Sequence, residues 1–356
     1  MTALAMPPMG NYSIALAASV ECLRVTPWTS RSTTPEMMTL GAEAAPEFAC
    51  LPFKATLGHF IQAAREGVEY GVMVNSVGTC RLRYYRELQQ KILKERGLNL
   101  HIFGLGYDGI KPPLIRHFDP TPAAFLRCSA RAFFKVRAVD RIEEQAWRTR
   151  ARERHGGDTT RVMDTCLNDL DQARTVGSIL AVTRSVRGRF ESVPVRTDAR
   201  PLRVGLLGEA SVLRDKYLNH NLEETLGSLG VEVRNFFLLG NEMAKIFHIS
   251  RWSKDSRRSL MRLARPYLKS VVGGHALESV AYTMACARDG YDGVVHIAPT
   301  GCMPEISVRP ILRKVSQDLK IPVLELSFDE HSSHVGVVTR LEAFVDILRD
   351  RQRSGT

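Results

Sequence analysis

Three of the chain's seven cysteines stand where a buried strand gives way to a helix. Cys80 follows the apolar run Val72–Val77, and Cys302 follows Val294–Ala298 after the short loop Pro299-Thr-Gly301. Cys50 precedes Leu-Pro-Phe-Lys54, where Pro52 suits the first turn of a helix. A helix N-terminus beside each sulfur predicts a bias towards thiolate, the form a metal takes as ligand. Small residues at Gly78-Thr79 and Thr300-Gly301 leave room for an inorganic group. Cys22, Cys128, Cys166 and Cys286 lie inside helical segments with no glycine beside them and read as core or surface thiols.

Three thiolates so far apart in sequence do not match the paired Cys-x-x-Cys spacing of structural zinc. They suit a 4Fe–4S cluster with one iron left for a non-cysteine ligand. On spacing alone two other readings stay open: buried thiols, and zinc held by the three with a histidine. Lys54, Arg81, Tyr84 and Tyr85 are near enough in sequence to donate hydrogen bonds to ligand sulfurs or to fix a substrate carbonyl. Tyr84 and Tyr85 straddle a helix start, which predicts one packed ring and one exposed. Glu305 follows Cys-Met-Pro in a first helical turn, where the dipole favours an acid. His296, inside an apolar strand, reads as a core histidine, and Glu278, His331 and His334 as groups at the rim of a crevice.

The elements that must position these residues alternate. Tyr70–Gly78, Leu98–Leu105, Leu202–Gly208, Val231–Phe236, Gly293–Ala298 and Pro322–Leu326 read as strands, with helical stretches between them. That pattern predicts an α/β fold of Rossmann-like, doubly wound parallel sheets in two units with a helical segment between them. The expected organisation is an N-terminal unit over 1–120 with Cys50 and Cys80, a helical segment and linker over 121–200, and a C-terminal unit over 201–356 with Cys302. In an open parallel sheet ligands bind outside the carboxyl ends of the strands, so the three thiols can converge. Residues 26–47 read as a loop with a short helix near Pro35–Gly41, and 121–190 as two helical arms broken at Arg154–Asp158. Gly104-Leu-Gly106 and Gly205-Leu-Leu-Gly208 read as tight turns rather than phosphate loops, so ATP hydrolysis is not expected.

A net charge of +11 invites a nucleic-acid partner, but acidic residues are interleaved with the basic ones and no nucleic-acid motif accompanies them. Solvated helix faces or a surface for an acidic partner account for the charge better. No run approaches the roughly 18 apolar residues of a membrane span. Pro7, Pro8 and Gly10 interrupt the apolar start, and no basic residue precedes Arg24. A cytoplasmic chain without disulfides is the expectation.

Six segments carry a resemblance to a known family: Pro8-Met-Gly-Asn-Tyr12, Pro46-Glu-Phe-Ala-Cys-Leu-Pro-Phe-Lys54, Gly78-Thr-Cys-Arg-Leu-Arg-Tyr-Tyr85, Gly273-Gly-His-Ala-Leu-Glu-Ser279, Gly301-Cys-Met-Pro-Glu305 and Thr339-Arg-Leu-Glu-Ala-Phe344. In this order they resemble the activase-related proteins (CoA protein activases) of the 2-hydroxyacyl-CoA dehydratase superfamily. The resemblance implies stacked Rossmann-like domains with a 4Fe–4S cluster at their interface, held by Cys50, Cys80 and Cys302. It implies low-potential electron transfer, an ATP-dependent activase, fused or separate, as electron donor, a related dehydratase-type subunit as partner, and an acyl-CoA as candidate substrate. Two departures stand out: Gly-Thr-Cys80 replaces the usual Gly-Pro-Cys, and only Met1–Met6 precede the first loop. A non-catalytic scaffold or assembly partner, and a zinc protein, are the alternatives.

Overall fold

The computed structural model describes residues 2–74, 80–106, 112–197, 199–246 and 256–354. Two parallel four-stranded sheets, each flanked by helices, give the α/β doubly wound fold that the alternating pattern predicts. The first sheet is built from β1 (Ala3–Ala5), α1 (Ser13–Val20), β2 (Thr26–Trp28), α2 (Pro35–Ala44), α3 (Leu51–Arg65), β3 (Tyr70–Val74), α4 (Tyr85–Glu95), β4 (His101–Leu105) and α5 (Pro113–Phe118). Short 3-10 turns, Glu21–Leu23 and Arg81–Tyr84, follow α1 and precede α4. Three helices come next, α6 (Pro122–Arg150), α7 (Asp158–Gln172) and α8 (Val176–Glu191). The second sheet runs through β5 (Leu202–Gly208), α9 (Ala210–Arg214), α10 (Leu222–Ser228), β6 (Val231–Asn235), α11 (Leu239–Ile246), α12 (Arg257–Ala264), α13 (Ala276–Arg288), β7 (Gly293–Ile297), α14 (Met303–Leu319), β8 (Val323–Leu326) and α15 (His334–Ser354).

The strand orders are β2-β1-β3-β4 and β6-β5-β7-β8. Both sheets therefore reverse their winding between the first and third of their strands, and such a reversal opens a crevice at the carboxyl ends. Cys80 follows β3, Cys302 follows β7 and Glu209 follows β5, so all three hang from strands at these reversals. Every residue of β7 is buried and β5 is buried except at Arg203, as covering on both faces requires.

Local chemistry sets the helix starts. Thr34 accepts from the Met37 N–H with Pro35 in the first turn of α2, and Thr175 forms a capping box with Ser178 at the start of α8. That second cap breaks the stretch 121–190 into three helices where two arms were expected. The strand β2 also escaped the sequence reading: it is three residues long and holds Pro27, which is tolerated because β2 lies at the sheet edge. Gly205 is not in a turn. It sits inside β5, where an added Cβ would meet Cys286 Sγ at 2.7 Å; only Gly208, at the strand end with φ +124°, turns the chain. Gly104 likewise lies within β4. The last helix is longer than the expected Arg340–Arg349, and the expected strand ending Asn75–Gly78 and the Trp252 stretch 251–255 lie outside the described residues.

The two sheets share packing. Met38, Leu51 and Ala55 from α2 and α3, with Trp147 from α6, join the hydrophobic core of the second sheet. α2 and α3 meet backbone to backbone, since a Cβ on Gly41 would stand 1.8 Å from the Lys54 carbonyl oxygen and one on Gly58 1.7 Å from that of Met37. Buried Asp215 ties the halves with hydrogen bonds: it accepts from Ser32 Oγ, from the Thr33 N–H at 2.8 Å and Oγ1 at 2.7 Å, and from the Tyr217 N–H at 3.0 Å. Among the described residues no helix is long and apolar enough to cross a membrane.

Candidate functional site

Cys50 and Cys302 each stand at the N-cap of a helix, α3 and α14, with a proline in the first turn. Their loops touch. Gly301 adopts φ +78°, and a Cβ there would lie 3.2 Å from the Phe48 carbonyl oxygen and 3.3 Å from the Cys50 Cα and N. A side chain at residue 301 would hold a strained left-handed φ and push the second sheet's loop off the first unit's by a few tenths of an ångström, so glycine suits the contact. Cys80 precedes the 3-10 turn Arg81–Tyr84, and Arg81 Nη1 donates to the same Phe48 carbonyl at 3.1 Å. Three segments thus meet around Phe48–Cys50. Gly274, from the Gly-Gly pair ahead of α13, packs on Pro304, where an added Cβ would stand 2.9 Å from Cγ; this seats the start of α14.

Of the tyrosines, Tyr85 is packed and Tyr84 is 64% exposed, the split that the helix boundary predicts. Tyr85 Oη shares a hydrogen bond with Cys50 Sγ, and its ring meets Phe53 edge-on at 5.0 Å. Lys54 does not face a sulfur: its ammonium pairs with the Glu330 carboxylate. Arg81 holds a backbone carbonyl and Tyr84 lies outward, so of the expected donors only Tyr85 reaches a cysteine. Glu305 is buried, and its Oε2 accepts from Ser279 Oγ at 2.8 Å and bonds His296 Nε2 at 2.9 Å. His296 is a core histidine as expected, but its Nδ1 and Glu305 Oε1 have no partner among the described residues. Glu278 lies in the first turn of α13, and His331 and His334 are exposed near the start of α15.

The electrostatics reverse one expectation. Burial pushes the Cys50, Cys80 and Cys302 thiols all above the ordinary cysteine value, and the Glu209 carboxylate pushes each further. The N–H groups of Phe53, Leu82 and Glu305 in the first turns pull the other way and are outweighed. Among the described residues, burial and Glu209 therefore favour the thiol over the thiolate at all three. Cys50 feels Cys80, and Cys302 feels Cys50, so the sulfurs lie within electrostatic reach of one another in that chain. The other cysteines differ in setting. Cys286 is fully buried against β5 with its thiol pushed up to about 12, and Cys22 is pushed up to about 11 by burial and by Cys128 beside it.

Sequence reasoning missed Glu209, Glu330 and Ser279. Glu209 ends a strand at a winding reversal and could have been found from that position; Glu330 and Ser279 carry no local signal, because their partners are far off in the chain. Among the described residues no group of three or more His, Cys, Asp or Glu side chains is arranged to hold a single metal ion. No curated protein matches the chain. Residues 186–348 match the family model of 2-hydroxyglutaryl-CoA dehydratase, D-component, a span that takes in the second sheet with Glu209, Cys302 and Glu305, and this match supports a dehydratase-subunit-like protein.

Proposed function

We propose that this chain is a dehydratase-subunit-like iron–sulfur protein in which Cys50, Cys80 and Cys302 hold a 4Fe–4S cluster. The observation that carries the reading is the contact of the Cys302 loop with Cys50 at Gly301, with Arg81 bringing the Cys80 segment to the same carbonyl. The residues fit such a group. Three soft sulfur donors from three segments suit an iron–sulfur cluster, whose thiolates are spread over its corners rather than gathered round one ion. The thiols are raised by burial and by Glu209, with no cation among the described residues in the causes that act on them, and cluster iron would supply the positive charge that ionises them. Proteins of the matched family are generally iron–sulfur proteins.

When bound, the cluster would supply one-electron chemistry and one iron without a cysteine ligand. The protein's own residues set the conditions. Cys50 and Cys302, each 8% exposed, are shielded from water, and Cys80 is half-buried. Tyr85 shares a hydrogen bond with the Cys50 sulfur, and to a ligand thiolate its hydroxyl would be the donor, fixing the sulfur's orientation. The Glu209 and Glu305 carboxylates disfavour added negative charge and so favour a low potential. In this reading an ATP-dependent activase, fused or separate, delivers the electrons, a related dehydratase-type subunit is the partner, and an acyl-CoA is the substrate class. The absence of a phosphate-cradling loop from the sequence leaves ATP to the activase.

Anaerobic reconstitution, iron and sulfide analysis, and electron-spin measurement after reduction test this. The expected result is about four irons and four sulfides per chain with a one-electron reduced signal. Colourless, iron-free protein after repeated anaerobic reconstitution would overturn the reading in favour of a scaffold.

A further inference from the structure

The end of the second sheet away from the thiols carries a cleft whose walls hold charge of one sign. It opens where the 194–201 linker, the start of β5, the turn between α10 and β6 and the last turns of α15 meet, and its volume is about 290 Å³. A sphere of that volume is about 8 Å across, the Debye length at physiological salt, so charges on its walls act on one another. Four arginines line it, Arg196, Arg200, Arg349 and Arg353, while Ala151, Ala199 and Gly230 leave the space between them open. Among the described residues no carboxylate and no cysteine lines it; Asp198 lies outside them.

The fold holds these cations in place. The Arg196 N–H donates to the Arg152 carbonyl at 2.8 Å, and the Arg154 N–H donates to the Pro194 carbonyl at 2.9 Å, so the linker is pinned by its backbone. Arg349 Nη2 donates to the Leu229 carbonyl at 2.7 Å, which fixes that guanidinium beside the α10–β6 turn. The side chains of Arg196 and Arg200 have no partner among the described residues. Arg349 and Arg353 pair with Asp346 at 3.4 Å and Asp350 at 3.6 Å, but both acids are exposed, outside the cleft and one turn back on α15. Exposed pairs of that kind contribute little. Glu232, next to Gly230, is taken by Arg152 at 2.8 Å. The helix dipole accounts for a cation in the last turn of α15, but Arg196 and Arg200 lie on no helix.

We propose that this cleft binds a diphosphate group, free or carried by a nucleotide, with Arg196 and Arg200 of the linker and Arg349 and Arg353 of α15 sharing its charge. Guanidinium forks match phosphate oxygens two at a time. A single phosphate carries about two negative charges at most, so four guanidiniums are better answered by two phosphates side by side. With no carboxylate on its walls among the described residues to hold a metal ion or take a proton, the cleft binds the group without cleaving it. The site is independent of any cluster. A bound anion ties the linker to the last helix of the second sheet, and so braces the helical segment against that sheet.

Calorimetry on the intact chain, at about 0.15 M salt and without divalent cations, tests this. The probes are inorganic pyrophosphate, ADP and coenzyme A, with inorganic phosphate and sulfate as controls. The expected result is that at least one of the three probes binds about tenfold or more tightly than either control, and the tightest of them identifies the source of the group. Arg196→Gln with Arg200→Gln should weaken that binding about tenfold or more at nearly unchanged Tm, since both side chains are exposed. Arg257→Gln with Arg258→Gln removes the same charge from exposed positions on α12 and should leave binding as it was. Four results would each overturn the proposal. They are probes held no more tightly than phosphate and sulfate (an adventitious ion only), undiminished binding without Arg196 and Arg200, equal loss in the two double variants, and a short single-stranded oligonucleotide that binds more tightly than all three probes through the same arginines, which would assign the cleft to nucleic acid.

Discussion

Gly301→Ala probes the contact between the two loops that carry Cys50 and Cys302. Two terms follow from the geometry. An L-residue at φ +78° costs roughly 1–2 kcal/mol by backbone conformation alone. The new Cβ would also lie 3.2 Å from the Phe48 oxygen and 3.3 Å from the Cys50 backbone, so the loops must part by a few tenths of an ångström. Gly67→Ala is the matched control: its φ is +82°, and nothing lies within 4 Å of its added Cβ. Both variants should lower Tm by roughly 1–3 °C, from the backbone term and the unfolding entropy of a chain this long. Only Gly301→Ala should also lower iron content after anaerobic reconstitution, to below about half of the parent's, because it shifts one ligand loop from the other. Calorimetry and iron analysis on the same preparations read both effects. Equal iron in the two variants would refute the claim that this contact sets the sulfur positions.

Tyr85→Phe keeps the ring against Phe53 but removes the hydrogen bond to Cys50, so the reduction potential of a bound cluster should fall by about 60 mV, the one-electron equivalent of about 1.4 kcal/mol, in a spin-monitored titration. An unchanged potential would show that Tyr85 does not tune the sulfur. Burial, and then the charge of Glu223, raise the Glu143 carboxyl on α6 from 4.5 to about 7 in the folded state, so its contribution to stability is full below about pH 4.5 and is lost as pH rises to about 7. Glu143→Gln should therefore gain in Tm relative to the parent between those limits, and a difference independent of pH would contradict the assignment. Asp215→Asn turns an acceptor-only hub into one whose amide donor faces either the Thr33 N–H, at the Oδ2 position, or the Tyr217 N–H, at the Oδ1 position. It should cost roughly 2–4 kcal/mol, or about 3–5 °C in Tm, and a change within error would count against Asp215 as the tie between the sheets.

Much of this was legible in the residues because the strongest signals are local. The apolar runs of β5 and β7 are strands buried on both faces, and such runs need no partner information to be read. Cys302 and Cys50 were legible as helix caps through the prolines two places on. What was lost is non-local. The edge strand β2 gains its identity from pairing with β1, not from its own Thr-Pro-Trp. Lys54 sits beside Cys50 in sequence but turns to Glu330, and proximity in the chain said nothing of that. The expected thiolate bias failed for a physical reason: the helix N-termini are present, but burial and Glu209 outweigh them, and neither can be counted before the sheets are stacked.

In the proposed function three particular thiols, and not the other four, hold the cluster. Iron and sulfide bound per chain should be measured anaerobically across the seven single Cys→Ala variants. Cys50→Ala, Cys80→Ala and Cys302→Ala should lose most of the iron, while Cys22→Ala, Cys128→Ala, Cys166→Ala and Cys286→Ala should keep nearly all of it. Equal loss in both groups, or full retention by any of the first three, would contradict it.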